Sequence, residues 1–321
     1  MWIRFNTDLT EQSFHAIGEE LFSHLGFRKN TDIAWGDPYN ETLESFHRDI
    51  STIKNPVLMT DMERLNEIED VTKRLTLRAL LNNPKRRISY DSGTSLTFDQ
   101  EKYGDLWGPS IDTLLVCKAL FNHIDLSKVK TSLEPGCGSS FITKHIIENS
   151  ELDIKAYAID FNHNAYQCAL DNMGKYIKDG RCNIVIGDAF DYMKGRSVDL
   201  LVCNPPYIPR PKCIEDNAYE GLSLLVYMLE NAGKLLTDNG VMLINKSNLG
   251  DNIINEVINR KYKHIDVTVL EEMEVPLKIY NILNDKEWMD YLITECGLKK
   301  QYKNGYEYWQ KLSVLKITRR V

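Results

Sequence analysis

Apolar positions change their rhythm along this chain, and the changes divide it. Up to about residue 85 the spacing is helical. Asp8-x-x-Glu11 reads as a capping box ahead of Phe14, Ile17, Leu21 and Leu25, which share one helix face before Gly26. Thr60-x-x-Glu63 reads as a second helix start, followed by Leu65, Ile68, Leu75 and Leu80 and stopped by Pro84. Trp35-Gly36-Asp37-Pro38 is a loop between them. The period then shortens: Ile88 and Tyr90, a turn at Asp91-Ser92-Gly93, then Leu96 and Phe98 predict a hairpin.

From about residue 110, short apolar runs alternate with helical spacing. The runs are Thr131–Leu133, Ile154–Ile159, Cys182–Ile186, Val198–Cys203 and Gly240–Ile244, with two more at Ile265–Leu270 and Leu312–Ile317. Helical spacing between them is clearest over Leu222–Leu236. This alternation predicts an α/β fold with a doubly wound, seven-stranded, mostly parallel sheet. Three parts follow: a small, mainly helical N-terminal domain over 1–85, a β-hairpin connector over 86–104, and a larger domain over 105–321. The last carries an insertion at about 272–310, built on an amphipathic helix with Trp288, Tyr291 and Leu292.

Composition narrows the class. The chain has 321 residues, 43% of them hydrophobic, enough for one large core or a core domain with a smaller companion. A formal net charge of -7 argues against non-specific binding of a polyanion. No apolar stretch reaches the ~18 residues of a membrane span, so the expectation is a cytoplasmic, membrane-free monomer. Seven cysteines include no C-x-x-C pair, which suits a reducing compartment. Seven histidines show no H-E-x-x-H spacing, so no protein-held metal is expected.

The chemistry lies where the apolar runs stop. Val198–Cys203 is closed by Asn204-Pro205-Pro206-Tyr207, and two prolines cannot continue a sheet ladder. The strand must therefore hand an amide to whatever lies beyond the sheet edge, which is where open α/β sheets bind ligands. An amide fixed by prolines beside an aromatic ring suits a planar nitrogen group gripped at its edge and covered on its face. The first run leads into Glu134-Pro135-Gly136-Cys137-Gly138-Ser139-Ser140, a glycine loop opening a helix. It fails as a dinucleotide fingerprint because Phe141 occupies the third glycine position, and Glu134 would repel a pyrophosphate while tolerating an ammonium or a sulfonium. Asp160, about 20 residues on, stands where a carboxylate takes ribose hydroxyls. Asp188 follows the third run and is placed to accept from an adenine amino group, with Phe190 or a neighbour against the ring.

These four signals in one register resemble the Rossmann-like S-adenosylmethionine-dependent methyltransferases over roughly 105–272. Asn-Pro-Pro-Tyr-Ile-Pro followed by Tyr219-Glu220-Gly221-Leu222 is most similar to the branch that methylates the glutamine N5 of release factors. Trp107-Gly108-Pro109-Ser110-Ile111-Asp112-Thr113 resembles the segment lying over the cofactor in that branch. The resemblance implies S-adenosylmethionine as cofactor, held by Trp107, Asp112, Thr113, Glu134, Gly136, Cys137, Gly138, Asp160, Phe161, Asp188, Ala189 and Asn204. It implies catalysis by Asn204, Pro205, Pro206 and Tyr207 on a glutamine-containing loop of a protein such as a translation factor. The first 85 residues, which match no motif of the branch, and the insertion, which is longer than the branch usually has, are then the parts that select the substrate. Adenine or guanine amino groups of RNA or DNA are an alternative acceptor, and a degenerate cofactor-binding scaffold is a third reading. Ser140 replaces a family glycine, a change that a negative φ would accommodate.

Overall fold

The computed structural model describes residues 85–320 apart from 91–93, 105, 110, 151–152, 212–220, 262, 278–279, 284 and 304–305. The two helices expected before Pro84 lie outside the described residues. The hairpin is present: β1 (Lys85–Ser89) pairs antiparallel with β2 (Ser95–Asp99), with Ile88 opposite Leu96. It is no free connector, because Leu96 and Phe98 are buried in the main core. The Asn172 side chain also binds both the N–H and the carbonyl of Thr97, each at 2.9 Å.

After α1 (Gln100–Tyr103) and α2 (Ile111–His123), strand and helix alternate: β3 (Thr131–Pro135), α3 (Phe141–Glu148), β4 (Lys155–Asp160), α4 (His163–Lys178), β5 (Cys182–Ile186), α5 (Ala189–Met193), β6 (Val198–Cys203), α6 (Ser223–Leu235) and β7 (Leu236–Ser247). Then come α7 (Asp251–Lys261), β8 (Ile265–Pro276), α8 (Tyr280–Leu283), α9 (Lys286–Thr294), β9 (Lys300–Lys303) and β10 (Tyr306–Arg319). The sheet order is β5-β4-β3-β6-β7-β10-β8, with β9 paired to β10, so the expected seven strands gain an eighth. Strands β3 to β7 are parallel, and β10 runs antiparallel between β7 and β8.

The burial of β6 explains the apolar run Leu200–Cys203 that follows Asp199. Successive side chains point to opposite faces of a strand. Leu200 and Val202 enter the core beneath α2, α3 and α4, while Leu201 and Cys203 enter a second core beneath α6 and α7. With helices on both faces, neither parity of β6 faces water. Each fully buried Leu or Val contributes ~1.5–3 kcal/mol, so one charge placed in this strand costs a large share of a domain's stability.

Two boundaries differ from expectation. Strand β7 begins at Leu236 rather than Gly240, because Val198 already pairs with Leu236. Pairing of Met273 with Leu312 and of Pro276 with Trp309 extends β8 and β10 toward each other, which narrows the insertion to 277–305.

Strand order reverses between β3 and β6: the chain winds outward through β4 and β5, then returns to the other side of β3. At such a switch point the loops after two neighbouring parallel strands diverge and leave a crevice. Here those loops are the glycine loop and the one beginning at Asn204.

Candidate active site

Strand register assembles the site. Pro135 lies opposite Ile159, which sets Asp160 beside Gly136, and Cys203 lies opposite Ile244, which sets Asn204 beside Asn245. The glycine loop turns sharply, with φ of 66° at Gly136 and 49° at Gly138. A β-carbon at Gly138 would sit 3.1 Å from the Trp107 carbonyl oxygen, so residues before α2 cross directly over the loop. The Trp107 side chain is 75% exposed, which excludes a core role. Phe161 is half-exposed, whereas Cys137 and Ala189 are buried.

The negative φ expected at Ser140 is not found. Its φ is 59°, left-handed, and it is the one non-glycine residue with positive φ among those described. The turn requires it: the Ser140 N–H bonds the Cys137 carbonyl at 2.7 Å, and α3 starts at the next residue. Serine retains the family's backbone shape here at a steric cost.

Two carboxylates lie under this loop. Asp160 accepts from the N–H of Gly138 at 2.7 Å and of Asn162 at 2.9 Å. Glu134 accepts from the Thr143 N–H at 2.8 Å, in the first turn of α3, and from the Thr143 hydroxyl. Both are buried, and burial raises both pKa values, that of Glu134 to about 8. Bonds from Thr143 oppose the shift at Glu134, backbone N–H groups oppose it at Asp160, and the charge of Asp160 adds to it at Glu134. Among the described residues neither carboxylate has a cationic partner within ion-pair distance. Asp188 caps α5, its Oδ1 accepting from the N–H of Phe190 at 2.6 Å and of Asp191 at 3.1 Å. The cap leaves Oδ2 uncommitted to α5.

On the other side of the crevice amides, hydroxyls and one carboxylate are tied to one another. Asn245 donates to Asn204 Oδ1 at 2.9 Å, and Asn204 Nδ2 makes a long 3.5 Å contact with Thr113 Oγ1. The Tyr207 hydroxyl donates to Asp112 Oδ2 at 2.9 Å, while Asp112 Oδ1 accepts from the Thr113 N–H at 2.8 Å. Asp112 and Thr113, expected on the cofactor, thus brace the Asn-Pro-Pro-Tyr loop from the start of α2. Burial holds the Cys137 and Cys203 thiols far above their usual range, so neither is a nucleophile. Asn245 was not anticipated. It is the first polar residue after the apolar run Val241–Ile244, as Asn204 is after its own run, although β7 continues to Ser247.

The family model of the methyltransferase small domain matches residues 114–272, which span β3 through β8 and both sides of this crevice. That segment, just under half of the chain, is similar to the methyltransferase small-domain family. Curated relatives agree: the chain is 24% identical over 173 residues to a release factor glutamine methyltransferase of Aquifex aeolicus, covering 50% of this chain and 61% of that one. It is 26% identical to a ribosomal protein uL3 glutamine methyltransferase of Francisella tularensis (39% and 43% covered), and 26% identical to a tRNA1(Val) (adenine(37)-N6)-methyltransferase of Actinobacillus pleuropneumoniae (26% and 35% covered). The chain thus spans about half the length of the curated relatives it matches. The methyl donor of the family, S-adenosylmethionine, suits the charges found here. Two buried carboxylates without a cation fit a ligand bearing a sulfonium and an ammonium, and would oppose a phosphate.

Proposed function

We propose that the chain transfers the methyl group of S-adenosylmethionine to the side-chain amide nitrogen of a glutamine in a protein. The observation that carries this reading is the Asn204 amide, held in place by Asn245 at the mouth of the crevice and followed by Pro205, Pro206 and Tyr207. Bound S-adenosylmethionine supplies an electrophilic methyl carbon on a sulfonium. The rest is left to the chain, because an amide nitrogen has its lone pair delocalised and attacks poorly while planar.

Asn204 Oδ1 has two lone pairs and Asn245 uses one, so the second accepts an N–H of the incoming amide. The Pro205 carbonyl is the natural acceptor for the other N–H. Together they orient the nitrogen and offset the positive charge that builds on it as the carbon–nitrogen bond forms and the carbon–sulfur bond breaks. The departing proton then passes to water, without a general base. Tyr207, anchored at its hydroxyl by Asp112, offers its ring to the planar group. Asp160, and Glu134 once a bound cation favours its ionised form, supply the negative charge that holds a cationic donor beneath the glycine loop.

Methylation of an adenine amino nitrogen uses the same edge geometry, and the tRNA-modifying relative keeps it in view. The net charge of -7 and the similarity to two kinds of glutamine methyltransferase favour protein. The test supplies isotopically labelled methyl donor with purified bacterial release factor, ribosomal protein or tRNA. Label in a glutamine of protein is expected; label in tRNA would replace this reading, and label in none would favour the scaffold.

A further inference from the structure

For the insertion between β8 and β10 the sequence implies a part in selecting the substrate. In the structure it packs against the loop that follows β6. Leu277, Ile282, Trp288, Met289, Leu292 and Leu298 form a separate apolar cluster with Ile208 of that loop, and Tyr207 packs on its edge. Trp288 is buried and its indole N–H donates to the Pro209 carbonyl at 2.8 Å. The Arg210 guanidinium lies 4.4 Å from the centre of the same ring. One side chain therefore meets two consecutive residues of the loop, by its edge and by its face.

The sequence of the loop shows why it needs such a partner. Pro205, Pro206 and Pro209 lack an N–H, so three of the six residues 204–209 closest to the reacting edge cannot anchor themselves through a backbone donor. Anchoring must use carbonyls and side chains instead. Asn245 and Asp112 hold Asn204 and Tyr207, and the insertion supplies the remaining hold at Ile208, Pro209 and Arg210.

We propose that the insertion is a clamp on the acceptor side of the crevice, with Trp288 as a positioning residue that acts on methyl transfer through Asn204 and Tyr207. The proposal rests on the reading of that loop as the acceptor grip. A purely stabilising flap would lower the stability of the whole domain and leave the loop's order unchanged; a clamp loosens the loop and leaves the donor side alone.

The experiment uses the full chain with Trp288→Phe, which keeps a ring and loses the N–H, and Trp288→Ala, which loses both. Backbone ¹⁵N order parameters at Tyr207, Ile208 and Arg210 are expected to fall from about 0.85 toward 0.6 or below in Trp288→Ala, with an intermediate value in Trp288→Phe. Those at Gly136 and Gly138 should stay fixed, and calorimetry should give S-adenosylmethionine affinity within about twofold of wild type. With bacterial release factor as acceptor, kcat should fall about tenfold in Trp288→Phe while KM for the donor holds. Unchanged order at Tyr207–Arg210 in both variants overturns the clamp, and so does an equal loss of order at Gly136 and Gly138. If wild type methylates a glutamine in neither release factor nor ribosomal protein, the glutamine reading fails by itself, and the order parameters still decide the clamp.

Discussion

The two walls of the crevice solve opposite physical problems. Beneath the glycine loop, Glu134 and Asp160 are buried carboxylates supported by N–H groups and a hydroxyl, with no ion-pair partner among the described residues. Across from them, Asn204, Asn245, Thr113 and Tyr207 are joined through amides and hydroxyls, with Asp112 the one carboxylate among them, held by the Tyr207 hydroxyl and the Thr113 N–H. The first wall is electrostatically incomplete until a cation arrives. The second is specific in direction. Binding strength should therefore reside in the first wall and rate in the second, so substitutions should separate the two.

The largest separation is expected at Asn204. Asn204→Ala removes the oxygen that receives the acceptor N–H and leaves Glu134 and Asp160 untouched. Turnover should fall roughly 10²–10³-fold, as for other preorganised polar groups, with donor affinity within about twofold. Single-turnover kinetics beside calorimetry measure both, and a parallel loss of affinity would merge the two walls. Next in size is Asp160→Ala. Loss of a charged hydrogen-bond acceptor should cost ~1.5–3 kcal/mol of donor binding, about 10- to 150-fold in Kd. At saturating donor, turnover should recover most of its wild-type value.

Glu134 sharpens the comparison through pH. Its carboxyl has a pKa of about 8 in the folded protein because burial disfavours the charge. A cationic donor favours the ionised form and lowers that pKa, so below pH 8 binding must expel a proton. Donor affinity should then weaken as pH falls below about 8, by up to tenfold per unit, and Glu134→Gln should flatten the profile. Stability carries the opposite slope. The folded pKa exceeds the unfolded value of 4.5, so the contribution of this group is fully present below about 4.5 and is lost as pH rises through about 8. Denaturant titrations without donor over that window should show the slope in wild type and lose it in Glu134→Gln.

The features legible in sequence were those that local chemistry imposes. The apolar run Val198–Cys203 and the two prolines after Asn204 placed β6 and its end correctly, because a strand buried on both faces leaves no alternation to misread and proline leaves no donor to extend. Glycines at 136 and 138 marked the tight turn for the same reason. Features set by long-range contacts were not legible. The hairpin Lys85–Asp99 looked like a connector until Asn172, far along the chain, was seen to seat it. Trp288 reads in sequence only as one apolar position of an amphipathic helix, and the fold puts its N–H on Pro209. Asp112 and Thr113 were expected to touch the donor, and only the fold shows that they brace Tyr207 and Asn204. Asn245 lies between: visible as the first polar residue after an apolar run, but meaningful only beside Asn204.

The smallest expected effect concerns Ser140. A serine at φ 59° bears the contact between its β-carbon and the backbone, which costs an L-residue roughly 1–2 kcal/mol relative to the right-handed region. Ser140→Gly removes that strain, but it also gives the unfolded chain more freedom and leaves space beside the Cys137 thiol in a fully buried position. These effects oppose each other, so the net gain should be about 0.5 kcal/mol, read as a small shift of the denaturant midpoint at constant slope. Catalytic rate should not change, because Ser140 belongs to the wall that binds. A slower variant with normal donor affinity would mean that the glycine loop also sets the geometry of transfer, and the division of labour between the walls would fail at this residue.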